Sequence, residues 1–365
     1  MGNVPGQSAG CNPDSRSRDY IEHLLDGRRW VLPSVHFELR FLLVQVEKVA
    51  VAVHNELNSN ELNWWHNRSQ RDVVATGARK LLRRQTRLVS IGSCFARNFA
   101  RWFEAGGGPN TSPDWGLHYN PITIKDELAA ALGHQQQPLI GEFGGDPTQR
   151  FRDLRRHEVW NATLAGLNAV RAQLATEATG ALATAQALVV TYGLAEVCEL
   201  EADTGVWFVV NRGLHNCQSH SEKRTRFLTV EEIATHTCEI LRIARCVNEV
   251  MPVFFTVSPV PLAATYAGCD PRIANARSKA TLLVGLHQGL QAAADPGAFY
   301  FPAYEMFGPG VDFPCHFQDD GRHPTAEAVA RVASAFWAQF GEGELDPIPD
   351  FQVPRPKVHL VGQRP

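Results

Sequence analysis

The chain has 365 residues, of which 44% are hydrophobic and 20% are charged, and its formal net charge at pH 7 is -3. This composition is typical of a globular protein and gives no electrostatic reason to expect a nucleic-acid partner. No stretch has the roughly 18 to 20 uncharged apolar residues that a membrane-spanning helix needs. The eight cysteines form no CxxC pair, which indicates a protein of the reducing cytoplasm.

The first 85 residues are predicted to form a disordered segment, 1–18, and a helical extension, 19–85. The basic sequence ARKLLRRQTR (78–87) is interpreted as a solvated helix face. Within the extension, apolar residues of the segment 35–57 recur in alternating steps of four and three: Val35, Leu39, Leu42, Val46, Val49 and Val53. This heptad seam favours either packing on its own domain or formation of a homodimer.

From residue 87 onward, short apolar runs alternate with stretches of helical spacing. Four runs are apolar on consecutive residues: RLVSIG (87–92), QALVVTYG (186–193), MPVFFTVSPV (251–260) and GAFYFPAYEMF (297–307). Strands buried on both faces have this pattern. The alternation predicts an α/β fold, a doubly wound parallel sheet with helices on both sides. Such sheets bind ligands at the carboxyl ends of their strands. The Pro-rich end, 343–365, is predicted to be an extended tail.

Two candidate nucleophiles, Ser93 and Cys94, follow the first run directly. The next residues, FARNFARWF, predict a helix with one aromatic face. A serine at a strand-to-helix turn is expected to have an exposed hydroxyl beside the free N–H groups of the helix start. A Gly-Ser pair after a strand is also a common turn and N-cap. This segment alone leaves both interpretations open.

A second candidate segment is QDDGRHPTAEAVARVASAFWAQF (318–340). Pro324 is predicted to lie in the first turn of a helix, with His323 just ahead of it and Asp320 three residues earlier. A carboxylate at this spacing can hold the imidazole by one nitrogen and leave the other nitrogen to act as a base.

The string IGSCFARNFA (91–100) resembles the defining signature of the GSCFA family, a branch of the SGNH or GDSL-type hydrolases. Six further strings match the family in order: HYNPITI (118–124), TYGLAEV (191–197), TVSPVPL (256–262), NARSKATL (275–282), YFPAYEMF (300–307) and DGRHP (320–324). We therefore expect one hydrolase-like domain over 86–342.

The resemblance implies an SGNH-like α/β/α sandwich with a Ser-Asp-His site that needs neither a metal nor an organic cofactor. Residue by residue, Ser93 matches the nucleophile, and Asp320 and His323 match the acid-base pair. Cys94 is then expected to turn away from the strand ends and to be inert.

The oxyanion hole departs from the better-known SGNH pattern. Gly193 matches a position near this hole, but the asparagine expected two residues later is replaced by Ala195, followed by Glu196. An ionised carboxylate cannot donate a hydrogen bond. Asn120 is therefore our candidate for the third donor, beside the backbone N–H groups of Ser93 and Gly193.

Other charged and metal-ligating side chains are candidates for supporting roles. Arg322 is a candidate to meet a substrate carboxylate or phosphate. Lys279 is expected to bind an anionic group or to be solvated. Glu196 is expected to orient a loop through a salt bridge, and the alternative is a role in catalysis or substrate binding. The histidines of HNCQSH (215–220) are interpreted as surface residues, because no fourth metal ligand is evident.

By this resemblance, the expected activity is removal of an O-acyl group from a carbohydrate or related small molecule through an acyl-Ser93 intermediate. One alternative is an O-acyltransferase with the same Ser-His-Asp site. Another is a non-catalytic glycan-binding or scaffold module.

Overall fold

The computed structural model describes six ranges of the chain: 79–134, 138–201, 205–211, 223–307, 316–348 and 351–353. All of them belong to a compact unit that spans 70–365. The segment predicted to be disordered, 1–18, and the heptad seam of 35–57 lie outside the described residues. The possible homodimer through that seam therefore stays a prediction.

The centre of the domain is a sheet of four parallel strands: Leu88–Gly92 (β1), Ala187–Tyr192 (β5), Val253–Val257 (β9) and Ala298–Tyr300 (β10). Their order across the sheet is β1-β5-β9-β10. Gly92 lies opposite Thr191, and Tyr192 lies opposite Val257, so the first three strands end together at one edge. The α/β prediction is confirmed.

Helices cover both faces of this sheet, because consecutive strand residues point to opposite sides. On one side Val89 and Ile91 belong to a hydrophobic cluster with residues of four helices: Pro121–Ala131 (α2), Leu164–Ala183 (α3), Val230–Val247 (α4) and Pro271–Ala293 (α5). On the other side Leu88 and Val189 join a cluster with residues of two helices: Cys94–Ala105 (α1) and Ala326–Phe340 (α6). The uninterrupted apolar runs of the sequence reflect this double burial.

Helices α1 and α6 pack side by side and run in the same direction. Near their middles, the ring centroids of Phe99 and Phe336 are 4.9 Å apart. Just beyond their carboxyl ends, the N–H of Asp346 donates to the carbonyl of Gly106 at 3.0 Å. Both helices therefore begin at the same edge of the domain, where β1, β5 and β9 end.

Two small antiparallel sheets were not predicted from the sequence. One has the order β2-β3-β4 and consists of Ile140–Glu142 (β2), Phe151–Asp153 (β3) and Trp160–Asn161 (β4). The other has the order β7-β6-β8 and consists of Glu196–Glu201 (β6), Trp207–Val210 (β7) and Lys223–Phe227 (β8). Two short 3-10 helices occupy Pro147–Gln149 and Glu305–Phe307.

Residues 79–85 are not helical, so the helical extension does not continue to 85 and the interpretation of 78–87 as a solvated helix face is wrong. Leu82 is fully buried and pairs with Gly341 in an isolated β-bridge. Its N–H donates to the carbonyl of Phe340 at the end of α6. The described part of the C-terminal tail has neither helix nor strand. Its apolar side chains nevertheless pack on the α1 and α6 side: Leu345, Ile348, Phe351 and Val353.

Gly92, the last residue of β1, occupies a position that only glycine fits. Its φ is +144°, and a Cβ built on it would lie 2.3 Å from the carbonyl oxygen of Thr191 in β5. Backbone atoms of a buried strand cannot move aside without breaking the pairing of β1 with β5.

We therefore expect Gly92→Ala to destabilise the fold by at least about 2 kcal/mol, from overpacking and backbone strain. Urea denaturation of both proteins measures the difference. Gly180→Ala is the matched control, because Gly180 is exposed within α3 and an added Cβ would meet nothing within 4 Å. That control should stabilise by about 0.5–1 kcal/mol. An equal, small effect of the two substitutions would contradict the packing argument.

Candidate active site

Ser93 lies between the carboxyl end of β1 and the first residue of α1, where it is the N-cap. Its backbone is extended, with φ -73° and ψ -178°, and its Oγ accepts a hydrogen bond from the Phe95 N–H at 3.3 Å. The expectation of an exposed hydroxyl is wrong: the residue is only 2% exposed, with its Oγ turned back toward the helix start. The capping contact uses the oxygen as an acceptor and leaves its hydrogen free to donate.

Cys94 is the first residue of α1 and a half-buried free thiol. Burial raises the pKa of this thiol, and the nearby Arg97 and Arg322 offset the increase only in part. A thiol that stays protonated is a poor nucleophile. The electrostatics of the site therefore favour the neighbouring hydroxyl.

Asp320 and His323 form a compact hydrogen-bonded unit in the loop before α6. One oxygen of Asp320 accepts from the N–H groups of Arg322 and His323, at 2.9 and 3.0 Å. The other oxygen lies 2.5 Å from Nδ1 of His323. Desolvation opposes ionisation of the carboxyl, but the hydrogen bonds from His323 and Arg322 outweigh it and lower the Asp320 pKa to about 2. The unit thus holds an ionised carboxylate against one ring nitrogen and leaves Nε2 for another partner.

Helix α6 starts later than the sequence predicts. Its N-cap is Thr325, whose Oγ1 accepts from the Ala328 N–H at 3.1 Å, and its first residue is Ala326. The placement of Pro324 in the first helical turn is therefore wrong. Pro324 instead pairs with Phe317 in an isolated β-bridge, which closes the loop that carries Asp320 and His323.

The two candidate segments lie near the same, carboxyl edge of the sheet. Ser93 precedes α1 and His323 precedes α6, and these helices begin at the same edge. Nε of Arg322 donates to the carbonyl of Pro261, just beyond β9, at 3.1 Å. The Arg322 guanidinium is also close enough to Cys94 to interact with its thiol electrostatically.

The predicted oxyanion donors have different surroundings. The N–H groups of Gly193 and Leu194 both donate to the carbonyl of Tyr119, at 2.8 and 2.7 Å, so Gly193 does not offer a free backbone donor. Asn120 is the N-cap of α2, and its Oδ1 accepts from the Thr123 N–H at 2.9 Å. Its Nδ2 makes no hydrogen bond with any residue that the structure describes, so this amide is available to donate.

Glu196 orients a loop, but through hydrogen bonds rather than the salt bridge that the sequence predicts. Its carboxylate accepts from the hydroxyl of Thr265 and from the N–H of Tyr266, each at 2.7 Å. These contacts hold the segment that follows β9 against the start of β6. Glu196 therefore shapes the rim of the edge at which the candidate residues lie.

A model of the GSCFA family matches residues 87–336, which is more than half of the chain. The chain belongs to the GSCFA family. The matched range contains Ser93, Asp320 and His323, and it confirms the resemblance read from the sequence. A search of curated proteins gave no match.

Across the described ranges, no group of three or more His, Cys, Asp or Glu side chains is arranged to hold a metal ion. His215, Cys217 and His220 lie outside those ranges. In the part of the chain that the structure describes, no helix is both long and apolar enough to cross a membrane.

Lys279, in α5, is not solvated, so that expectation for it is wrong. The other expectation, that it binds an anionic group, stays a prediction. It is 1% exposed, and its Nζ donates to the carbonyls of Gly193 and Ser258, at 2.8 and 2.7 Å. Sequence reasoning had a usable signal, because Lys279 shares a helical face with the buried Leu282 and Leu286.

A buried ionic cluster lies beside the segment that precedes Asn120 in this GSCFA domain. The guanidinium of Arg156 pairs with Glu127 at 2.7 Å and with Asp153 at 3.2 Å. His118 is fully buried beside them, with Nε2 3.6 Å from Glu127. Burial and the charge of Arg156 lower the His118 pKa to about 3, so His118 is neutral at physiological pH. This cluster anchors the segment that leads to Asn120.

We expect Cys94 to react slowly with iodoacetamide in the folded protein, because its half-buried thiol stays protonated. Cys246 and Cys269 are exposed and should react first. Timed alkylation followed by peptide mass spectrometry measures each rate, and unfolding in urea should equalise them. Modification of Cys94 ahead of both exposed cysteines would show that it is an activated thiol.

Proposed function

We propose that this chain is a serine esterase that removes an O-acyl group from a carbohydrate or a related small molecule in the cytoplasm. The observation that carries the proposal is the 2.5 Å contact between Asp320 and Nδ1 of His323. It belongs to a loop at the same sheet edge as Ser93. The carbohydrate part of the proposal rests on the family resemblance.

The first half of the reaction forms an acyl-enzyme. His323 Nε2 accepts the proton of Ser93 as Oγ attacks the ester carbonyl carbon. The capping hydrogen bond of 3.3 Å is long, so Oγ loses little when it turns toward the substrate. The tetrahedral intermediate collapses, the C–O bond breaks, and the imidazolium returns the proton to the leaving alkoxide.

The second half regenerates the serine. His323 accepts a proton from water, the resulting hydroxide attacks the acyl carbon, and Ser93 leaves with the proton that the imidazolium returns. Asp320 stays ionised throughout, which is consistent with its low pKa, and offsets the transient charge on His323. The backbone N–H of Ser93 and Nδ2 of Asn120 are our proposed oxyanion donors, each worth about 3 kcal/mol.

A fluorophosphonate probe tests the nucleophile directly. The wild-type protein should gain one adduct by intact-mass spectrometry, and Ser93→Ala should gain none. Cys94→Ala should still be labelled, because its thiol takes no part. An adduct that persists in Ser93→Ala and vanishes in Cys94→Ala would make this a thiol enzyme. A folded wild-type protein that is never labelled would favour the non-catalytic module.

Asp320→Asn should lower turnover by about 10⁴-fold while the protein stays folded, because the amide cannot hold His323 in the required tautomer. Turnover of an activated ester and circular dichroism measure the two properties. Asp319→Asn is the matched control, since it removes the same charge from an exposed neighbour in the same loop. Near-normal turnover of Asp320→Asn would remove the Asp320–His323 pair from the mechanism.

The same residues serve an O-acyltransferase if a sugar hydroxyl, rather than water, attacks the acyl-enzyme. Product analysis with an acyl ester in the presence of free sugars separates these activities. Acyl transfer to sugar that outpaces hydrolysis would identify a transferase with the site unchanged.

A further inference from the structure

Lys279 carries its amino group into a buried position, since the residue is only 1% exposed. Its Nζ binds the carbonyls of Gly193 and Ser258. Each of these carbonyls belongs to the residue directly after a central strand, Gly193 after β5 and Ser258 after β9. One ammonium group therefore bridges the ends of two neighbouring strands at the edge where Ser93 lies.

The same face of α5 holds the two loops that continue from these strands. Ser278 Oγ accepts from the Ala195 N–H at 2.8 Å, and Asn275 Oδ1 accepts from the Leu262 N–H at 3.1 Å. Residues three and four apart lie on one side of a helix. The three polar side chains 275, 278 and 279 thus form a single surface that fixes the chain beyond β5 and beyond β9.

Lys279 also lies within electrostatic range of residues next to Ser93 and next to His323. Its charge interacts with Cys94, the neighbour of Ser93, and with Arg322, the neighbour of His323. Arg322 in turn donates to the carbonyl of Pro261, within the loop that Asn275 and Lys279 hold. The loop of His323 therefore rests on chain whose position depends on α5.

No carboxylate among the described residues pairs with Lys279. Burial lowers its pKa to about 7, with a partly opposing effect of Cys94 and a smaller lowering by repulsion from Arg322. Burying an ammonium costs several kcal/mol, and an apolar side chain often serves stability as well or better. A lysine amino group at such a buried position therefore points to a role beyond packing.

We propose that Lys279 is a positioning residue of the active site, which ties the ends of β5 and β9 together so that His323 stays in register with Ser93. This inference rests on the proposed esterase function. Lys279 touches neither the substrate nor the reacting atoms. It acts through the two carbonyls and the loops that follow them.

Lys279→Met tests the inference, because it keeps the length and burial of the side chain but removes its donors and charge. We expect kcat for an activated ester to fall by about 10- to 100-fold while KM changes by less than about 3-fold, as for a misplaced catalytic group. Lys279→Gln keeps N–H donors and should lie between Met and wild type. If the Met variant does not fold, the Gln variant carries the same measurements.

Leu282→Ala is the control for simple loss of stability. Leu282 is fully buried one turn further along α5, where it belongs to the hydrophobic cluster under the sheet. This substitution should lower the free energy of unfolding by about 2–5 kcal/mol and leave kcat of the folded protein unchanged. A kcat for Lys279→Met equal to that of Leu282→Ala or wild type would overturn the positioning role.

Hydrogen–deuterium exchange separates this inference from the esterase proposal. In Lys279→Met, peptides that contain 193–195 and 258–262 should exchange faster than in wild type, and those of α3 should not. Unchanged exchange at both loops would overturn the positioning role of Lys279, even if the fluorophosphonate labels the wild-type protein. Faster exchange in Lys279→Met, together with a wild-type protein that the probe never labels, would overturn the esterase proposal instead. Lys279 would then hold the two loops without a catalytic role.

Discussion

The packing of α1 against α6 on one face of the parallel sheet sets the geometry of the candidate site. Ser93 and His323 are far apart in sequence, and each is tied to the start of one of these helices. The aromatic contact between Phe99 and Phe336, together with Phe254 of β9 at 5.0 Å from Phe336, fixes the two helices relative to each other. Any shift of one helix along the other would move a candidate nucleophile relative to its candidate base.

Asp320 and Lys279 both lie near the carboxyl edge of the sheet, and they differ in which groups hold them. Asp320 is held by three hydrogen-bond donors within four residues of chain, so its ionised state is a local property of one tight loop. Lys279 is held by two carbonyls that follow different strands, so its position depends on how the ends of β5 and β9 are arranged. The local pair supplies the proposed chemistry, and the distant contacts would keep that pair in place.

The sequence predicted the four strands of the central parallel sheet and helices on both of its sides, and it singled out the segments that carry Ser93, Asp320 and His323. Buried parallel strands give long apolar runs, and a strand, turn and helix in succession leave a clear pattern. The two small antiparallel sheets were not predicted because their strands are short and partly polar, as in KRTRF of β8. Such strands depend on pairing with distant chain, which no local pattern records.

The misplacements near the site have a similar origin. Residues 79–85 have helix-forming composition, but the buried contact of Leu82 with the end of α6 overrides that preference. Lys279 was expected to be solvated because lysine usually is, although its place on the apolar face of α5 was visible. Backbone carbonyls at strand ends can satisfy an ammonium, and they leave no trace in the identity of the residues that provide them.

The carbonyl of Tyr119 affects two expected oxyanion donors, the N–H of Gly193 and the side chain of Asn120. By accepting from both Gly193 and Leu194, it removes the backbone donor that the resemblance implied. The same two hydrogen bonds fasten the Tyr119–Asn120 peptide to the end of β5. Asn120 is then fixed a second time by its capping bond to Thr123, which uses Oδ1 and leaves Nδ2. An amide held at its backbone and by its own oxygen has little rotational freedom left to lose. That is the property that a preorganised oxyanion donor requires, and it supports Asn120 in the role that Gly193 does not fill.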